Sequence, residues 1–165
     1  MNETRQPELI GPHQGQTVSV VGDRYVLKVT GEQTGGAYAL FDFFVPSGSG
    51  PPPHVHHREE EGFHILEGEL TFFLGPEHTR IVARAGDYVH APRDVPHFFR
   101  NEGNVPVRAL CIVAPAGLER FFVEVGFPLD APDAAPLPVT PEQIEKLLKA
   151  APKYGLEILG PPPRT

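Results

Sequence analysis

Residues 50–63 read GPPPHVHHREEEGF, three histidines and three glutamates behind a run of prolines. Imidazole nitrogens and carboxylate oxygens are groups that proteins offer to divalent ions. On an extended strand His54 and His56 point to one face, and Val55 and His57 to the other. Two imidazoles so placed can reach one ion about 2 Å from each nitrogen. A solvated, charged turn would carry the same letters, and His-x-His alone favours that plainer reading. Little else looks chemical. The single cysteine, Cys111, lies in the apolar run RALCIVAP and reads as a small buried hydrophobe, with no partner in the chain for a disulfide.

The elements that must hold these residues are short. A chain of 165 residues fits one domain, or one domain with a tail. Its 20 prolines and 17 glycines favour many turns over long helices. A net charge of −7 without a dense Lys/Arg patch speaks against nucleic acid. No apolar run approaches a membrane span, and the first residues lack a signal-peptide pattern, so the cytoplasm is expected.

Runs such as TVSVV, RYVLKVT, AYALFDFFV, TRIVARA, PHFFRN and VRALCIVA alternate with turn signals, which predicts an antiparallel sandwich or barrel. HILEGEL reads as a hairpin turning at Glu67-Gly68. GLERFFVEVG spaces Leu118, Phe121, Phe122 and Val125 as one face of a short helix. Thr140-Pro141-Glu142-Gln143 is a capping box that opens a second helix with Ile144, Leu147 and Leu148 on its apolar face. The expected organisation is a β-barrel domain over 1–126, then a Pro-rich connector, short helix and docking tail over 127–165.

At this point the sequence resembles a known family, the cupins. Their first motif, G(X)5HXH(X)3–4E(X)6G, is matched by Gly48, His54, His56, Glu61 and Gly68. Of the three glutamates only Glu61 fits this spacing. Their second, G(X)5PXG(X)2H(X)3N, is matched by Gly86, Pro92, His97 and Asn101, with Asp94 in the place of the central glycine. Asp tolerates unusual turn dihedrals, so the departure bears on loop shape more than on the histidines. The resemblance covers 37–114. It implies an all-β, double-stranded β-helix (jelly-roll barrel), here with short C-terminal α-helices, and a homodimer paired through edge strands.

The resemblance also implies a ligand set, His54, His56, Glu61 and His97, for one divalent ion: Mn, Fe, Co, Ni, Cu or Zn. Strand parity puts Phe63 beside Glu61 and Phe99 beside His97, and Phe72 and Tyr38 are further candidates for a substrate-lining wall. His57 and His64 have the opposite parity, which predicts solvent or an interface. His90 is expected to be a packed strand histidine. By its likeness to quercetinase-like dioxygenases, the chain is expected to add dioxygen to a small enolisable or aromatic, flavonol-like substrate. Glu61 would be both ligand and general base. The alternatives are a non-redox isomerase or lyase and a non-catalytic ligand-binding or sensor protein.

Overall fold

The computed structural model describes residues 5–161. Residues 1–4 and 162–165, the outer ends of the expected barrel domain and tail, lie outside the described residues. The β-branched and aromatic runs become β1 (Gln16–Val20), β2 (Asp23–Val29), β3 (Ala39–Val45), β4 (His54–His56), β5 (Glu60–Glu67), β6 (Glu69–Leu74), β7 (Thr79–Arg84), β8 (Tyr88–Ala91), β9 (His97–Arg100) and β10 (Val107–Ala114). One turn of helix, α1 (Gly31–Thr34), interrupts them. After them come α2 (Leu118–Val125), β11 (Phe127–Pro128), α3 (Pro141–Ala150) and β12 (Leu156–Ile158).

The strands form two antiparallel sheets. One has the order β11-β1-β2-β3-β10-β5-β8, the other β12-β4-β9-β6-β7. One core joins them, with Phe41, Phe43, Ile65 and Val107 from the larger sheet and Leu70, Phe72 and Phe99 from the smaller. The period-2 pattern explains the orientation. In β10, Val107, Ala109, Cys111 and Val113 are buried while the residues between them are half-buried or exposed.

The expected hairpin at Glu67-Gly68 does not form. β5 pairs with β10 and β8, whereas β6 pairs with β7 and β9 in the other sheet. Gly68 is therefore a corner where the chain changes sheets. Its φ is +84°, and a Cβ there would meet the Pro106 carbonyl at 3.0 Å. Turn chemistry signals a reversal, but not which sheet the next strand joins. The corner allows β5 to place Glu61 opposite the smaller sheet.

Both helices follow their apolar spacing. Leu118, Phe121 and Val125 of α2 are buried. Of the expected α3 face, Leu147 is buried, Ile144 half-buried and Leu148 49% exposed. Thr140 caps α3 by accepting from the Gln143 amide, but the Gln143 carboxamide oxygen is buried without a partner, so the box is only half made. The following segment does not hang free. β12 pairs antiparallel with β4, matching Leu156 to His56 and Ile158 to His54.

Candidate metal centre

His54, His56, Glu61 and His97 converge, with one ligand atom from each within 4.8 Å of all the others. All four side chains are buried. The two histidines of β4 share a face because they are two residues apart on a strand, and His54 lies directly across from His97 on β9. Glu61 arrives from β5, so the quartet draws on both sheets.

Each imidazole is oriented from behind. His54 Nδ1 donates to the Pro52 carbonyl at 2.8 Å, and His97 Nδ1 to the Val95 carbonyl at 3.1 Å. His56 Nδ1 donates to Glu59 Oε2 at 3.3 Å. These bonds fix the proton on Nδ1 and leave Nε2 for the interior, as in metal-binding histidines. His97 Nε2 and His56 Nε2 approach the same Glu61 oxygen, Oε2, at 2.8 and 3.2 Å. The other, Oε1, faces the Cys111 thiol at 3.6 Å.

The charges are redistributed accordingly. Burial pushes His54 down to about 3, aided by the nearby His97 and His56, so it is neutral. Burial also pulls on His56, but Glu61 and Glu59 together outweigh it and raise it to about 9. Burial would raise Glu61, yet His56 and His97 hold it well below the carboxylate range. A proton on His56 thus supplies the positive charge Glu61 requires. Three inward Nε2 atoms, one carboxylate and three outer acceptors fit a first-row divalent ion.

A small cavity of about 60 Å³ lies against His54, His56 and Glu61 of the quartet. Phe63 and Phe99 line it, as parity predicts, together with Phe43, Tyr25, Cys111 and the α2 residues Leu118, Phe121 and Phe122. Leu147 of α3 and Leu156 and Ile158 of β12 complete the wall. Phe72 lies one layer back, fully buried, with its ring 5.2 Å from Phe63 and 5.8 Å from Phe99. Tyr38 is outside the cavity. It is 38% exposed at the start of β3, and its backbone bonds the Thr34 hydroxyl.

The remaining histidines divide by parity. His57 is exposed between Asp94 and Glu157, at 2.7 and 2.9 Å, and His64 is exposed. His90 is not packed as expected: it is exposed and pairs with Glu60 at 2.8 Å, because β8 lies at the sheet edge. Asp94 occupies the motif's glycine place with φ +65°, and its amide donates to the His56 carbonyl, so the loop keeps its left-handed turn. Asn101 is fully buried and ties the carbonyls of Val45 and Val105 together.

Three site residues escape the sequence reading. Glu59, the outer partner of His56, lies just ahead of β5 and outside any strand, where parity cannot assign it. Cys111 does share inward parity with Val113, across from Glu61, so the pairing of β10 with β5 is the missing information. Asp23 lines the cavity from the start of β2 with no motif to mark it.

A cupin-domain model matches residues 41–113. An uncharacterized protein of Methanocaldococcus jannaschii is 36% identical over 77 residues, which cover 47% of this chain and 60% of that protein. A probable germin-like protein of Arabidopsis thaliana is 33% identical over 97 residues, 57% of this chain and 45% of its own. This chain thus spans about half the length of the curated relatives it matches. Among solved structures, a predicted oxalate decarboxylase from Thermotoga maritima superposes with a TM-score of 0.57 at 21% identity, covering 66% of this chain and 99% of the other. At that identity the likeness speaks for the fold alone. The stretch 41–113 that the cupin-domain model matches lies within a double-stranded β-helix whose two sheets the flanking segments complete.

Proposed function

We propose that the protein is a metal-dependent oxidoreductase that adds dioxygen to a small enolisable substrate. The observation that carries this reading is the buried quartet of three inward-facing imidazoles and one carboxylate against an apolar cavity. A first-row divalent ion held by His54, His56, Glu61 and His97 would supply Lewis acidity and, where the metal is redox-active, electrons for dioxygen chemistry.

The chain's own residues do the rest. Phe43, Phe63 and Phe99 exclude water and present ring faces to the substrate. Glu61 takes the proton of the substrate's enolisable position on a carboxylate oxygen, while its second oxygen keeps its neighbours in place. Cys111, whose thiol burial and Glu61 hold well above its usual value, stays protonated and donates to Glu61 Oε1. A cavity of about 60 Å³ favours a compact chelating substrate over a flavonol, which needs several hundred Å³.

The test is elemental analysis of the purified protein followed by oxygen uptake with the Fe- and Mn-loaded forms across small diketones, catechols and flavonols. Oxygen uptake with a small diketone or catechol supports the reading. Metal-replete protein that converts such compounds without consuming oxygen is an isomerase or lyase instead. Protein that only binds them is a sensor or carrier.

A further inference from the structure

The cavity is lined by one acidic group besides Glu61, Asp23. Between β1 and β2 the chain reverses over Val21 and Gly22, at φ +46° and +86°. A β-branched residue at positive φ is strained, and here the turn holds Val20, Val21 and Asp23 against the cavity. Asp23 is 1% exposed. Ser49 Oγ donates to its Oδ1 at 2.5 Å. Oδ2 takes no hydrogen bond from the protein among the described residues, and no lysine or arginine lines the cavity.

Anchoring the loop that carries Ser49 requires only Oδ1. The second carboxyl oxygen, which no cation meets, belongs to a side chain that lines a ligand-sized space and is surplus to that role. Burial raises Asp23 to about 7, with the Ser49 bond offsetting only part of the effect. Below that pH the carboxyl is neutral, and its O–H is a donor.

We propose that Asp23, oriented by Ser49, donates a hydrogen bond from Oδ2 to one carbonyl or carboxylate oxygen of a compact ligand whose other end meets the cavity face of the quartet, His54, His56 and Glu61. The proposal rests on the metal-centre reading. It narrows the substrate class to molecules with oxygen acceptors at both ends.

The experiment uses cobalt-loaded protein without oxygen at pH 6.5, titrated by visible absorption with two probes. One is 2,4-pentanedione, the other 2,4-dioxopentanoate, in which a carboxylate replaces one methyl. The wild type should favour the dioxopentanoate by about tenfold more than Asp23→Leu does, the worth of one charge-assisted hydrogen bond. Pentanedione affinity should stay within about threefold. Asp23→Asn, which keeps a donor, should retain most of the preference, and Ser49→Ala, which frees the carboxyl, should lose part of it. Equal preference in wild type, Asp23→Leu and Ser49→Ala overturns the assignment of Asp23 and leaves the metal centre intact. Should Asp23→Leu fail to fold, an unchanged preference in Ser49→Ala overturns it alone. A cobalt spectrum unmoved by either probe in the wild type removes the metal-centre reading, and the proposal with it.

Discussion

A buried histidine held near pKa 9 and a buried carboxyl held near 7 give this site two opposite responses to pH. His56 must lose its proton before Nε2 can ligate, so an ion competes with that proton. Loading ion-free protein with Zn²⁺ at pH 7.5 should release about one proton per ion, readable with a dilute indicator dye. Affinity should weaken as pH falls below about 9. No proton release at full occupancy would show that His56 is not held protonated in the ion-free protein. His97→Ala should bind the ion far more weakly and His64→Ala should bind it as the wild type does, since one Nε2 faces Glu61 and the other side chain faces solvent. Asp23 behaves in the reverse sense. Its folded value lies above the unfolded 3.8, so the folded state keeps a proton that the unfolded chain gives up between pH 3.8 and about 7. Stability from this group declines as pH rises through that window, by an amount on the order of 4 kcal/mol. Asp23→Asn should therefore melt with the wild type near pH 4 and several degrees above it at pH 8. Identical melting at both pH values would mean that Asp23 is not held neutral in the fold.

Most elements are legible from pattern because strand alternation, the α2 spacing and the Thr140 cap are local properties. The quartet is legible only in part for that reason: parity pairs His54 with His56, and the resemblance to the cupin motifs adds Glu61 and His97. Its His-x-His spacing is a strand parity, and the rest of the motif spans corners that glycines mark. Partners that depend on which strands pair are not legible. Glu67-Gly68 looks like a hairpin from inside the segment, and only the β5–β10 and β6–β9 ladders reveal a corner. Tyr38 misses the cavity because α1 turns the chain just before β3, which a list of aromatic residues cannot show. The C-terminal segment is the most consequential case. Apolar content shows that Leu156 and Ile158 must dock, but not that they form a strand on β4, which carries His54 and His56. Leu156 is 6% exposed, pairs with His56 and lines the cavity. Leu156→Ala should cost about 2–4 kcal/mol by chemical denaturation and speed hydrogen exchange at the His57 amide, which donates to the Gly155 carbonyl. Unaltered exchange there would show that β12 does not support β4.

At the scale of the whole molecule, the quartet joins two layers that otherwise meet mainly through apolar packing and the Asn101 bond to the Val45 carbonyl. Glu61 belongs to the seven-stranded sheet, while His54, His56 and His97 belong to the five-stranded one. An ion bound to all four would tie the sheets together in the folded state and find no such set of ligands in the unfolded chain. Its binding energy would then appear as global stability. At a free concentration about a thousand times the Kd, the gain is about 4 kcal/mol. For a chain of this size that corresponds to a rise of roughly 10 °C in melting temperature. Glu61→Ala leaves three imidazoles on one sheet, so it should still bind an ion, more weakly, with a smaller rise at matched saturation. His54→Ala, which keeps one ligand from the larger sheet and two from the smaller, should retain more of the rise than Glu61→Ala when both are saturated. The comparison is made by calorimetry of chelator-treated and metal-loaded protein for wild type and both variants. Coincident melts of chelator-treated and loaded wild type, with occupancy verified, would show that the four residues do not act as a clamp between the sheets.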